Sequence, residues 1–329
     1  MTTPARLTFT TALLACLVLF GCGGGGSSSP STSQTASQAN TTTTPTQSVV
    51  LTVRHIGSLP APVQLPATTG FGHELLAMGG LDSADGSVSN IVRVRGSAAS
   101  VAGQLPTAFH DAAATAVGGH VYVFGGGDAG ATRAQILEVI GSGTRQVGSL
   151  PSGSSDCEAV TISNTAYVVG GYDGTNGLTN IVAYRPGSSP HVVGHLPLPL
   201  RYASVVAIDG RVLVAGGTSG TTPSAGIFAF DPKTSKTTRI GSLPKPITHA
   251  AGAELNGLFY VIGGRSSSTT SQVGTITAID PTSGVASPAG RLSVGLSDMG
   301  AFGFGNRIIA VGGKDSAGVV KSGILELRP

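Results

Sequence analysis

Tryptophan is absent from this chain, charged side chains make up only 11% of it, and 329 residues carry just three cysteines. Each shortage excludes something. A net charge of +3 without a dense Lys/Arg stripe gives no footprint for nucleic acid, despite a pI near 8.9. Cys16 and Cys22 fall in an N-terminal leader, so Cys157 stands alone in the body of the chain. No disulfide can staple that body, and stability has to come from burial and strand pairing. The histidines are scattered without a Cys/His cluster, which gives no support for zinc. No nucleophile elbow appears, and every Gly pair of the body falls in the phase of a repeat rather than in a phosphate-cradling motif. Neither a metal nor a cofactor is expected.

What the chain has is glycine, 50 residues of it, in a fixed rhythm. Doublets stand at Gly79-Gly80, Gly125-Gly126, Gly170-Gly171, Gly216-Gly217, Gly263-Gly264 and Gly312-Gly313. Each follows by 22 residues a Gly that opens a Gly-x-Leu-Pro or near-copy: Gly57, Gly103, Gly148, Gly194, Gly241 and Gly290. Two landmarks held in phase six times define a repeat array rather than two average domains. The second copy shows four strands: Asp111 to Val117, Val121 to Phe124, Gln135 to Ile140 and Arg145 to Val147. Gly118-Gly119, Asp209-Gly210 and Asn256-Gly257 suit tight hairpins between the first two strands, and Asp231-Pro232 and Asp280-Pro281 mark the third turn.

The ends of the array are out of phase in a complementary way. Val49 to Arg54 reads as a last strand with no strands before it, whereas the sixth copy stops at Pro329 without its last strand. The N-terminal strand is therefore expected to complete the final module, closing a ring and removing two exposed edges.

Ahead of the array, residues 1–22 read as an export signal: Arg6, then a mostly apolar run from Leu7 to Phe20. Its end, Leu19-Phe20-Gly21-Cys22, resembles the lipobox of bacterial lipoproteins, although Phe20 departs from the usual small residue. That resemblance implies lipidation of Cys22. Residues 23–48, almost entirely Gly, Ser, Thr, Gln, Asn and Pro, cannot offset their ordering entropy and are expected to be a disordered tether. The chain is thus predicted to be exported and lipid-anchored at the cell envelope, with residues 49–329 forming the folded domain.

That domain resembles the kelch-repeat family, whose blades carry a double Gly at the end of the second strand, often with an aromatic three residues before it. Tyr122, Tyr167 and Tyr260 hold the aromatic place, and Leu76, Leu213 and Ile309 replace it elsewhere; the family's later Trp is missing from every copy. The resemblance implies an all-β fold, a six-bladed kelch-type β-propeller with four-stranded blades and the first strand of each blade lining the axial channel. It leaves function open, since such rings serve as enzymes and scaffolds alike.

Eight residues after each leading Gly stand Leu65, Asp111, Asp156, Tyr202, His249 and Asp298, and one position earlier Gln64, His110, Ser155, Arg201, Thr248 and Ser297. On a propeller these share one mouth with the loops bearing Asp82, Asp85, Asp128, Asp173, Arg265, Lys314 and Asp315. Two readings follow. The aspartates form a polar pocket for a cation or hydroxylated ligand, or each caps its own turn backbone. Glu158 stands where the other copies have Ala67, Ala113, Ser204, Ala251 and Gly300. Either it lines a wet channel with a raised pKa or it is a solvated charge in an unused one. Two functions are carried forward. One is a tethered, monomeric binding module for a protein or carbohydrate, with Asp111, Asp156, Tyr202, His249, Asp298, His110 and Arg201 as binding residues. The other, implied by the sialic acid mutarotases among six-bladed kelch rings, is an exported carbohydrate-active enzyme using Glu158, Arg201 and His249. Cys157, flanked by Asp156 and Glu158, is expected to be an inert thiol.

Overall fold

Runs of Ala, Val and Ile bounded by turns rich in Gly and Asp become strands, and in the second module they fall close to the places the sequence marks. The strands are His110–Val117, His120–Gly127, Gln135–Ile140 and Gly143–Ser149. We call them a to d, and number the blades from the N-terminus. The computed structural model describes residues 49–329; the leader, Cys22 and the spacer of 23–48 lie outside the described residues.

Six four-stranded antiparallel sheets form the blades, with a two-stranded ribbon (Thr218–Ser219 and Thr222–Pro223) as an appendage of blade 4. In blades 1 to 5 the order is sequential, a-b-c-d. Blade 6 takes a, b and c from Leu296–Phe304, Arg307–Asp315 and Gly323–Arg328, and d from Thr52–Ser58 at the other end of the domain. Thr52 lies opposite Arg328 and Ser58 opposite Gly323, antiparallel. The orphan strand and the missing strand are one pair, as the sequence predicts. It begins and ends later than Val49 to Arg54, because pairing continues through a bulge between His55 and Gly57. The same slip precedes the leading Gly in every other blade, bending strand d towards the connector.

Turn chemistry behaves as read. Gly118 and Gly119, Asp209 and Gly210, and Asn256 and Gly257 all have positive φ, the requirement of a tight turn that matches strand twist.

The apolar core is not central. It is divided into six clusters, one in each seam between neighbouring blades. Tyr122 and Phe124 of blade 2 meet Tyr184 of blade 3 at 5.4 and 5.7 Å between ring centres, and Tyr167 of blade 3 meets Phe230 of blade 4 at 6.1 Å. Full burial of such side chains contributes roughly 1.5–3 kcal/mol each, so the seams hold the ring together.

The double glycines weld those seams. In all six, the second Gly donates its N–H to a carbonyl of the next blade's connector: Gly80 to Phe109, Gly126 to Ser154, Gly171 to Leu200, Gly217 to Ile247, Gly264 to Leu296 and Gly313 to Val63, at 2.8–3.0 Å. The first Gly has to be Gly for two reasons. Its φ lies between 62° and 71°, and a Cβ at Gly216, for example, would sit 2.6 Å from the Ile247 carbonyl oxygen.

Candidate functional site

The channel mouth is built from the residues eight after each leading Gly. All six of them, Leu65, Asp111, Asp156, Tyr202, His249 and Asp298, adopt left-handed backbone with φ between 52° and 63°. This conformation costs non-glycine residues about 1–2 kcal/mol each, so something must hold it. A closed ring of backbone hydrogen bonds does. The amide of each residue donates to the carbonyl of its counterpart in the preceding blade: Asp111 to Leu65, Asp156 to Asp111, Tyr202 to Asp156, His249 to Tyr202, Asp298 to His249, and Leu65 back to Asp298. These bonds are 2.8–3.4 Å long and run once around the axis.

Asp156, His249 and Asp298 are buried at the ring, and Asp111, Tyr202 and Leu65 are half-buried. Their polar atoms are engaged with one another and with the residues around them. Asp156 ion-pairs with Arg201, whose guanidinium lies 4.2 Å from the centre of the Tyr172 ring. Tyr202 donates to Asp111 at 3.4 Å and stacks on His249 at 3.7 Å. Burial, and next the charge of Asp156, push the Asp111 carboxyl well above its ordinary pKa. Burial also raises Asp298, which accepts from the Ser297 hydroxyl.

His249 is held neutral by burial and by the neighbouring Arg265 and Arg201, which drive its pKa well down. Arg265 donates to its Nε2 at 2.8 Å, so the proton sits on Nδ1 and is shared with the Thr248 hydroxyl at 3.0 Å. His110 stands at the rim, its Nδ1 2.9 Å from the Ser87 hydroxyl and its Nε2 3.6 Å from Asp111; burial lowers its pKa.

Turn capping, one of the two sequence readings, describes a different set of aspartates. Asp82, Asp128, Asp173 and Asp315 in the b-to-c loops each accept backbone amides of their own loop, for example Ala84 and Gly86 on Asp82 at 2.8 and 2.9 Å. The ring aspartates bond to side chains of other residues instead. Asp85 accepts from Gln64 at 2.8 Å and faces Lys314 at 3.3 Å.

Beneath the ring lies a channel cavity of about 250 Å³ walled by the a strands, while the recess at the mouth itself holds only about 50 Å³. Glu158 borders both spaces. Its counterparts Ala67, Ala113, Ser204, Ala251 and Gly300 are buried in the seams, whereas its longer side chain is exposed to the channel. That exposure is to the channel and its mouth rather than to the outer surface of the ring. The surrounding strands deprive the carboxylate of bulk water, and that desolvation pushes its pKa up to about 7. Two-residue spacing from Asp156 does not place the two side chains on one strand face, since strand a begins only at Glu158 and Asp156 is left-handed.

Thr68, Thr69, Thr115 and Thr161 add hydroxyls to the wall, the last two 2.9 Å apart, and Glu254 adds a second carboxylate; no Lys or Arg lines the cavity. Of the three residues considered for catalysis, Glu158 and His249 border the mouth recess and Arg201 borders neither space. Cys157 is buried, its thiol pushed up to about 12 chiefly by burial. Among the described residues no three His, Cys, Asp or Glu side chains are grouped to hold a metal. His191 and His195, four apart on strand d of blade 3, are about 13 Å apart by strand rise.

Six four-stranded blades around one channel make this a β-propeller. Residues 199–244, which include all four strands of blade 4, match the kelch motif, so this six-bladed propeller carries a kelch repeat. The solved structure of YjhT is similar in fold, with a TM-score of 0.71 over 83% of this chain and 99% of that one at 14% identity. No curated protein matches the sequence.

Proposed function

We propose that this propeller is a binding or protein-interaction module held at the cell envelope, anchored by lipid on Cys22 with residues 23–48 as its tether. One observation carries the choice of binding over catalysis. The polar side chains of the mouth engage one another, Arg201 on Asp156, Arg265 on His249, Tyr202 on Asp111 and Ser297 on Asp298, and of these groups only the buried Nε of Arg265 is left without a partner. A general acid or base must present its proton to a space that takes substrate. The recess in front of these groups, about 50 Å³, has room for only roughly a few waters.

Glu158 supports a second reading, a carbohydrate-active enzyme acting at an anomeric centre, because a carboxyl near pKa 7 is tuned for proton transfer at neutral pH. A cavity with two carboxylates and no cation favours a neutral sugar over an acidic one. Anomer exchange on a panel of neutral and acidic sugars, run on wild type and Glu158→Gln, separates the readings. No turnover in either is expected; turnover that Glu158→Gln abolishes would replace binding by catalysis. For the anchor, Cys22→Ser is expected to move the protein from the membrane fraction to the soluble one. Retention of that variant in the membrane fraction would remove the lipid tether from the proposal.

A further inference from the structure

Five of the six blades carry a large apolar side chain at the third position of strand c: Val92, Leu137, Val182, Phe228 and Leu325. Blade 5 alone has Thr277, paired with Pro288 on the outer strand. At that seam, between blades 4 and 5, a groove of about 730 Å³ opens on the outer part of the mouth face. Its walls are mostly apolar and include Leu243, Ile247, Val261 and Ile276, with Pro244 and Pro246 exposed along one side. Two exposed cations, Lys245 and Arg291, line it, and no Asp or Glu does.

Positive charge without a carboxylate partner also gathers on this side of the ring. On blades 1, 2 and 6 every arginine except the exposed Arg54 has a carboxylate partner: Arg93 and Arg95 on Glu74, Arg133 on Asp128, Arg145 on Glu138, and Arg307 and Arg328 on Glu326. On the outer side of blade 4 and at the groove, none of Lys233, Lys236, Arg239, Lys245 and Arg291 has a carboxylate partner among the described residues. All five are exposed.

We infer that this groove receives an extended segment of a partner protein that is apolar at its centre and acidic at its flanks. A concave trough suits a single chain rather than a flat bilayer surface, and its walls hold no aromatic side chain on which a nucleobase could stack. Pro288 removes a backbone donor from the outer strand, so the segment is held by side-chain pockets and ion pairs rather than added as a fifth strand. The inference names a partner class for the binding module, yet it uses a different part of the face from the channel and stands whether or not Glu158 does chemistry.

The test is selection of short random displayed peptides on the immobilised full chain, followed by anisotropy measurements with the enriched peptides in synthetic form. Enriched sequences are expected to combine apolar residues with two or more Asp or Glu, and to bind more weakly as salt rises. Thr277→Leu, which installs the residue found in blades 2 and 6, and separately Lys245→Glu with Arg291→Glu, are each expected to weaken binding at least about tenfold. Unchanged thermal melting would show that the ring is intact. Recovery of basic or purely polar peptides, affinity unchanged from wild type in either variant, or binding to phosphatidylglycerol vesicles without peptide binding would each overturn the inference.

Discussion

Glu158 sits where every other blade has a small residue, and its pKa near 7 makes it a term in the pH dependence of stability. A carboxyl whose pKa rises on folding keeps its proton where the unfolded chain has lost it. Its contribution is therefore most favourable below pH 4.5, declines as pH rises from 4.5 to about 7, and is level above that. His249 works in the opposite sense: being held neutral, it costs stability as pH falls below 6.5. Comparing Glu158→Gln with wild type isolates the first effect. The variant is expected to gain stability relative to wild type across pH 4.5 to 7 in denaturant melts, and a constant difference would refute the raised pKa. Glycine offers a second test. Gly216→Ala combines positive φ with a Cβ against the Ile247 carbonyl and is expected to cost roughly 3 kcal/mol or more, while Gly72→Ala, also at positive φ but in open space, should cost about 1–2. Equal losses in chemical denaturation would mean that close approach plays no part. The sequence marks these positions through their spacing. It does not reveal that the residues from Leu65 to Asp298 hydrogen-bond to each other around the axis, because that needs the φ of six side-chain-bearing residues to be unusual together.

At the scale of elements, turn residues located the strands. The a-to-b hairpins at Gly118-Gly119, Asp209-Gly210 and Asn256-Gly257 are where turn chemistry puts them, and strand c of blade 2 coincides with Gln135–Ile140. Strand a shows no apolar–polar alternation because neighbouring seams bury both of its faces: in blade 2, Ala112 and Ala114 are buried against blade 1 and Ala113 and Val117 against blade 3. The outer strands were legible only in part, since each runs through a bulge that no residue pattern announces. Thr52–Ser58 is the element whose removal should matter most. A chain beginning at residue 60 leaves Gly323–Arg328 as an open edge next to a seam that has lost part of its cover. Such a chain is expected to unfold at lower denaturant and to associate on size-exclusion chromatography; an unchanged midpoint and a monomeric peak would contradict the pairing.

For the molecule as a whole, six separate seams rather than one centre bear the load, so the ring stands or falls on every junction being made, including the one between its two ends. Fixed phase of two glycine landmarks was enough to read blade number and closure, because the doublets in every blade and the leading Gly in five of the six touch the neighbouring blade. The second Gly of each doublet bonds across the seam, and a Cβ at the leading Gly290 would lie 2.7 Å from the Leu51 carbonyl oxygen. Function was less legible, since the groove between blades 4 and 5 depends on what Thr277 is not, and only the register of all six blades exposes that. Closure is tested most directly by joining its two ends. With Cys16 and Cys22 replaced by Ser, Thr52→Cys and Arg328→Cys are placed opposite each other on paired strands, where side chains stand about 5 Å apart. A short bismaleimide is expected to link residues 52 and 328 within one chain, seen as one joined peptide after digestion and mass mapping, with the midpoint of unfolding raised. Absence of that peptide under native conditions, or its appearance only between two chains, would contradict a ring closed by its own first strand.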